Sequence, residues 1–364
     1  MSNSNIILSV MVISHNQVHL IGRCLDSILR QRIRVPWEIV ISDDASTDGT
    51  WEWIQELAKL RNEEIGLRMK EIRGEVLDGE FIPEITCSQI NSSDYNPTVT
   101  SDRCAANKAN VYSLARGKYC VNIDADDYLL GDDIYQYQMD QLESHPECSM
   151  ALQNIWYQND GEPVENGHPW HCKGVLKENE VITLQDYCQR RMFTSNPAFM
   201  MRRDLDLNPM EKYGLLFDDP IISMHHIAQG KIICSTKAQY VYVQYKSSIW
   251  NQVGSNCGDL VMRRLVVLLN YLKFFPEYST EFVLSEVGEW VRALKDYRRM
   301  NECVCSPLTI RYVERLDSRF LSSLVHHWEI QTCSSKCVLL MCLFINKYHI
   351  TNRYVMWLFK TLIQ

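Results

Sequence analysis

Three times in the first 130 residues, a continuous apolar run ends on polar or acidic residues just before a turn or helix signal. Residues 6–14 run into Ser14-His15-Asn16, residues 37–41 (TrpGluIleValIle) end at Ser42-Asp43-Asp44, and residues 119–123 (TyrCysValAsnIle) point into Asp124-Ala125-Asp126-Asp127. Short unbroken apolar runs bounded by turn residues read as strands buried on both faces. Between them, Val18, Ile21, Leu25, Ile28 and Leu29 recur at helical spacing, and helices are expected over about 50–60 and 102–115, with Gly117 ending the latter. Strands alternating with amphipathic helices predict an α/β fold with a mostly parallel, Rossmann-like sheet flanked by helices. Ligands of such sheets sit beyond the carboxyl ends of the strands, where these acidic residues fall.

Residues 74–100 are polar, with Pro83, Pro97 and an Asn-Ser-Ser cluster, and read as an irregular loop longer than a simple connection. Further strands are expected at 149–156 and 198–201, a helix at 219–229, and one or two strands over 231–245. Residues 1–255 are then expected to form one α/β domain. Residues 256–364 form a helical C-terminal region. Its apolar stretches, 337–346 and 354–363, are each shorter than the roughly 20 residues that span a bilayer. Lys347, His349, Arg353 and Lys360 interleave with Phe344, Tyr348, Trp357 and Phe359, a mixture suited to a membrane surface. Packing on the α/β domain or against a second copy of the chain is the competing reading.

Composition narrows the class. The 364 residues carry 46% hydrophobic and 23% charged residues, which is globular, and a net charge of −8 that argues against coating nucleic acid. The N-terminus has no positive stretch before a broken apolar run, so a cytoplasmic protein is expected, with peripheral contact on the inner face of the membrane through the C-terminal region. The 14 cysteines read as reduced in a chain large enough to need no disulfides. Cys303-x-Cys305 and Cys333-x3-Cys337 lack a second pair at zinc spacing.

The cluster at 124–127 suits Mg2+ or Mn2+, hard ions that bind through one or two carboxylates plus substrate phosphates. A helix cap or Asx-turn explains one Asp equally well, but three crowded carboxylates repel one another unless a cation is present. The second cluster, Asp43 to Thr50, can accept hydrogen bonds from a base or ribose; turn and cap chemistry accounts for part of it, Ser46 to Gly49 above all.

Taken in order, SerValMetValIleSerHisAsn, GluIleValIleSerAspAspAlaSerThrAspGlyThr and GlyLysTyrCysValAsnIleAspAlaAspAspTyr resemble the three successive signatures of family 2 glycosyltransferases. The similarity covers roughly residues 5–250. It implies a GT-A catalytic domain over 1–255, with a nucleotide-binding half at about 1–130 and an acceptor half at about 131–255, a nucleotide-diphosphate-sugar donor, a divalent metal and inversion at the anomeric carbon. Carried across by motif, Ser14, His15, Asn16 and Asp44 would hold the nucleobase with Asp43 beside them, Asp124 would face the ribose or metal shell, and Asp126 with Asp127 would bind the metal. The family's Ala-Arg-Asn in the preceding helix is here Ala105-Ala106-Asn107, with Arg103 and Lys108 nearby, so Asn107 carries over to the donor site and the arginine does not. Phe217-Asp218-Asp219-Pro220 is similar to the pair that supplies the catalytic base, Asp219 taking that role; a plain helix start is the competing reading. Tyr242 to Trp250 resembles the late loop over the diphosphate but lacks its histidine. His225 and His226 read as packed helix residues.

The resemblance thus implies transfer of a sugar, from a UDP-linked donor, to a glycan or lipid-linked acceptor in surface-polysaccharide synthesis, with no nucleic-acid partner and homo-oligomerisation left open. A metal-dependent nucleotidyltransferase is the alternative, although no glycine-rich basic phosphate loop follows the first strand. A phosphatase would carry its Asp-x-Asp at the first strand, and a non-catalytic glycan-binding scaffold would not need both acidic clusters.

Overall fold

The computed structural model describes residues 5–75, 79–91, 94, 100–170, 176–190, 198–246, 271 and 274–278. The chain divides into two compact units, Met1–Leu184 with Met192–Gln244, and Gln185–Arg191 with Tyr245–Gln364. The expected helical C-terminal region, with both apolar stretches, lies outside the described residues except for Tyr271 and the segment containing a 3-10 turn at Pro276–Tyr278. No helix among the described residues is long and apolar enough to cross a membrane.

The first unit is built on strands β1 (Leu8–Ser14), β2 (Trp37–Asp44), β3 (Glu84–Ile90), β4 (Tyr119–Asp124), β5 (Tyr128–Leu129), β6 (Cys148–Leu152), β7 (Ile155–Asn159), β8 (His168–Trp170), β9 (Val181–Ile182), β10 (Phe199–Arg202), β11 (Lys231–Cys234) and β12 (Tyr240–Gln244). The helices are α1 (Ile21–Leu29), α2 (Thr50–Ala58), α3 (Asn62–Arg73), α4 (Thr100–Leu114), α5 (Ile134–Ser144), α6 (Leu184–Arg190), which from Gln185 on belongs to the second unit, α7 (Pro209–Lys212) and α8 (Asp219–Ile227). An eight-stranded sheet runs β3-β2-β1-β4-β10-β6-β11-β9, and a four-stranded one runs β5-β12-β7-β8. The β3-β2-β1-β4 half is parallel, whereas β10 is antiparallel to both β4 and β6. Helix α4 packs on β1 and β2, α2 on β3, and α5 and α8 on β6 and β10. This is the expected α/β class.

Every residue of β1 and β2 is buried, as strands covered on both faces require. Their buried polar groups are paired. Ser9 donates to Glu38 at 2.6 Å, Gly117 N–H donates to Ser9 Oγ at 2.8 Å, and the Arg116 guanidinium donates to Glu38 at 2.8 Å.

Three local expectations need correction, two on the strands and one at Gly117. Within residues 74–100 the chain forms β3, which pairs in register with β2 from Glu38↔Glu84 to Asp44↔Ile90; the polar residues of GluIleThrCysSerGlnIle hide a strand because β3 is the outer strand of the sheet and only half-buried. Before it lies α3, amphipathic too weakly to stand out and closed by Gly74 at φ 81°. The single strand expected over 149–156 splits at Gln153-Asn154 into β6 and β7, which join different sheets; Asn154 Oδ1 accepts the Ile155 N–H at 2.9 Å and turns the chain between them. The six cysteines with described side chains, Cys24, Cys87, Cys104, Cys120, Cys148 and Cys234, are free thiols.

Gly117 does not end α4, which stops at Leu114, but lies where the chain touches β1. A Cβ there would stand 2.6 Å from Ser9 N, 2.7 Å from Tyr119 O and 2.8 Å from Leu8 C, all backbone atoms. Gly117→Ala is expected to destabilise the protein by about 1–3 kcal/mol through overpacking, read as a lower urea midpoint; an unchanged midpoint would show that β1 and β4 can part without cost.

Candidate active site

Parallel pairing sets the ends of β2, β1 and β4 side by side: Ser14 lies opposite Asp43, and Ile13 opposite Asp124. Sequence-distant residues thereby share one edge. The loops after β1 and β2 are laced together there. Asn16 N–H donates to Ser46 Oγ at 2.8 Å, Thr47 N–H donates to Asn16 Oδ1 at 2.8 Å, and His15 Nδ1 lies 2.6 Å from the Asp44 carbonyl. Asn16 and Ala45 adopt φ of 54° and 47°, left-handed conformations that tight loops require and that Asn tolerates better than Ala.

Asp43 is fully buried and its carboxylate is occupied by the protein. Ser14 Oγ and Ser46 Oγ donate to it at 2.8 and 2.6 Å, Ser46 N–H at 2.9 Å, and Gln89 at 3.0 Å. It therefore shapes the site rather than offering an open acceptor. Asn107, on α4, donates to the Ser14 carbonyl at 3.2 Å, and its Oδ1 is buried without a hydrogen-bond partner among the described residues, as is Asp124 Oδ1. Two orphaned acceptors at one strand edge are what an incoming hydroxyl, amide or cation would satisfy.

After β4 the chain turns at once, the Asp127 N–H donating to the Asp124 carbonyl at 2.9 Å. Asp124, Asp126 and Asp127 each offer a carboxylate oxygen, all within 4.8 Å of one another. Burial is the first cause that raises all three above the usual carboxylate range, Asp124 to about 6; mutual repulsion adds to it at Asp124 and Asp127. A divalent ion with oxygen ligands at about 2.1 Å bridges such separations after small side-chain adjustments and removes the repulsion, so these residues fit Mg2+ or Mn2+. Asp127 is also committed to the smaller sheet: it accepts the Tyr240 hydroxyl and, at 2.9 Å, the Val243 N–H. Arg23, on α1, donates to the Asp126 carbonyl at 3.0 Å and lies 4.4 Å over the Tyr128 ring.

The second acidic pair opens α8. Asp218 Oδ1 accepts the Asp219 N–H at 2.9 Å as a helix cap, and Pro220 follows. Buried Phe217 packs edge-on against Tyr112 with centroids 5.4 Å apart, which fixes the helix start against α4. Both carboxylates bind Lys108, whose Nζ lies 2.7 Å from Asp218 Oδ1 and also contacts Asp219. The Lys108 side chain is 5% exposed; burial lowers its pKa, but Asp218, Asp219 and Asp124 more than offset this and hold it well above the ordinary value. Burial drives Asp219 up to about 6, against the pull of Lys108 and with the push of Asp218 and Asp124. Its side chain keeps 29% exposure, enough to meet a substrate.

Lys108 is the group that sequence reasoning did not assign. Its only signal was a lysine directly after Asn107 in a helix expected to face the site. His225 and His226 are buried in α8; His225 meets Tyr213 and Asp204 at 2.8 and 2.9 Å, and burial lowers His226 to about 3. Residues 247–250 of the late loop lie outside the described residues.

Residues 9–75 match the family described as Glycosyl transferase family 2. An uncharacterized protein of Mycobacterium tuberculosis (strain ATCC 25618 / H37Rv) is 24% identical over 293 residues, which cover 78% of this chain and 73% of that protein; a counterpart in Mycobacterium bovis gives the same figures. The crystal structure of S. aureus TarS 1-349 in complex with UDP-GlcNAc aligns with a TM-score of 0.53 at 15% identity, covering 96% of this chain and 93% of that chain. The likeness to TarS is one of fold. The family match runs from β1 to α3, and the fold is GT-A.

A carboxyl held at about 6 in the folded protein keeps its proton between pH 4 and 6, where the unfolded chain has lost it. The stabilisation from Asp219 is therefore present below pH 4 and fades as the pH rises to 6. Asp219→Asn carries no such loss, so its melting temperature relative to wild type should climb between pH 4 and pH 6.5 in scanning fluorimetry. A pH-independent difference would return Asp219 to the ordinary carboxylate range.

Proposed function

We propose that the chain transfers a sugar from a nucleoside-diphosphate sugar, UDP-linked, to an acceptor hydroxyl with inversion, and that the product feeds surface-polysaccharide synthesis. The observation that carries this reading is the placement of two acidic groups with different partners: the 124–127 turn at the end of β4, and, at the start of α8, Asp218-Asp219, both of which bind Lys108. Single displacement with inversion needs one acidic site for the leaving diphosphate and another for the acceptor proton, on opposite sides of the anomeric carbon.

In this reading the loop of Ser14, His15 and Asn16, with Asp44 on β2, receives the nucleobase, while Asn107 and Asp124 direct their unsatisfied oxygens to the ribose or metal shell. Asp126 and Asp124 would hold the divalent ion, with Asp127 bracing the turn from β12 and adding its charge. When bound, the ion neutralises charge that builds on the leaving diphosphate. Asp219 takes the proton from the acceptor hydroxyl as that oxygen attacks. A carboxylate near 6 is ionised at neutral pH and still a stronger base than an ordinary Asp, and Lys108 keeps it aimed. The TarS structure contains UDP-GlcNAc, which supports a nucleotide-sugar donor. A lipid-linked acceptor, and membrane contact through residues 256–364, belong to the same proposal.

Donor binding should require a divalent cation. Calorimetry with UDP-sugars and Mn2+ should show binding that chelator or Asp126→Ala abolishes; equal affinity in all three conditions would remove the metal from the site. Release of pyrophosphate from a nucleoside triphosphate, with no turnover of nucleotide sugars, would instead favour a nucleotidyltransferase.

Asp219→Asn should leave donor affinity nearly unchanged and slow transfer by roughly 10²-fold or more. If Asp218→Asn shows that loss and Asp219→Asn does not, the base is the other member of the pair.

A further inference from the structure

The smaller sheet carries a row of rings that the roles above leave unused. Tyr242 pairs with Tyr157, and Tyr157 with His168, across β12, β7 and β8. Directly opposed residues share one face of a sheet, so the three side chains stand together. Ring centroids are 5.7 Å apart for Tyr242–Tyr157 and 5.4 Å for Tyr157–His168, with interplanar angles of 33° and 43°, a shallow tilt rather than edge-on packing. The tyrosines are half-buried and His168 is exposed. The other face is occupied: Tyr128 donates to Gln158 at 2.7 Å beneath Arg23, and Trp156 donates to the Val164 carbonyl at 2.9 Å.

One end of the row begins at the reaction centre. Tyr242 lies between Tyr240 and Val243, the two residues that hold the Asp127 carboxylate. Burial first, then Asp127, Asp124 and Asp126, raise its phenol above the ordinary value, which reports the same proximity. The other end leads away from the nucleobase side, because β7 leaves the main sheet after β6, two places beyond β4 in strand order and opposite to β1 and β2.

An aromatic face carries partial negative charge and attracts polarised C–H groups, while phenol and imidazole edges hydrogen-bond to hydroxyls. The flat C–H face of a pyranose ring, ringed by hydroxyls, has this complementary chemistry. The neighbouring carboxylates disfavour an anionic occupant. Building on the sugar-transfer reading, we propose that Tyr242, Tyr157 and His168 form an acceptor subsite that stacks neutral pyranose rings and feeds a hydroxyl to the reaction centre at the Tyr242 end.

The test uses the full chain with methyl β-D-glucopyranoside, methyl α-D-mannopyranoside and methyl N-acetyl-β-D-glucosaminide, each followed by saturation-transfer NMR. At least one should receive saturation at its ring C–H protons. Tyr157→Ala should weaken that binding roughly tenfold, and Tyr157→Trp should retain it. The proposal is overturned if no pyranoside receives saturation, if Tyr157→Ala binds as the wild type does, or if alanine and tryptophan weaken binding equally, which would assign Tyr157 to holding the sheet. Donor calorimetry on the wild type keeps the two readings apart: absence of nucleotide-sugar binding defeats sugar transfer itself, whereas donor binding without pyranoside binding defeats only the subsite.

Discussion

The partial burial of five carboxylates is the constraint on which this site depends. Asp124, Asp126 and Asp127 share one turn and Asp218 and Asp219 one helix start, and each is at least partly withdrawn from water, where charge is costly. The described residues relieve this from two directions. Lys108 neutralises the α8 pair from within the fold and also acts on Asp124, while Arg23 acts on Asp126. Lys108 is thus a counter-ion built into the fold. This role explains why a lysine, rather than a polar uncharged residue, occupies a position that is 5% exposed in the middle of a helix.

Strand-end carboxylates were legible because the parallel half of the sheet is written in unbroken apolar runs. Trp37 to Ile41 and Tyr119 to Ile123 have no reading other than buried strand or short buried helix, and their acidic terminators fixed where a polar ligand would sit. The outer strand β3 was not legible. A half-buried strand at the sheet's end alternates weakly, and its residues Glu84, Thr86 and Ser88 mimic a loop. The same blindness hid Gln89, whose amide helps hold Asp43.

The site's division of labour was legible only in part, because sequence carries residue types and not partners. Asp43 and Asp44 look equivalent in the sequence, yet the Asp43 carboxylate accepts hydrogen bonds from two hydroxyls, an amide side chain and a backbone N–H, while the Asp44 carbonyl is the acceptor facing His15. Asp126 and Asp127 are likewise adjacent, but both Asp127 oxygens are committed to β12. Only the closing of β12 against β5, distant in sequence, distinguishes them.

Strand β12 alternates Tyr240, Val241, Tyr242, Val243, and this alternation makes it the molecule's gauge. A period of two means that one residue inserted or deleted just before Tyr240 would move both tyrosines to the face now held by Val241 and Val243, and both valines to the opposite face. Asp127 would lose its hydroxyl donor and the ring row its first member in one event. Substitutions along β12 can be absorbed one contact at a time, whereas a change in its length cannot be absorbed at all, so length variation among functional descendants of this chain should fall in the loops around β12 and spare the strand.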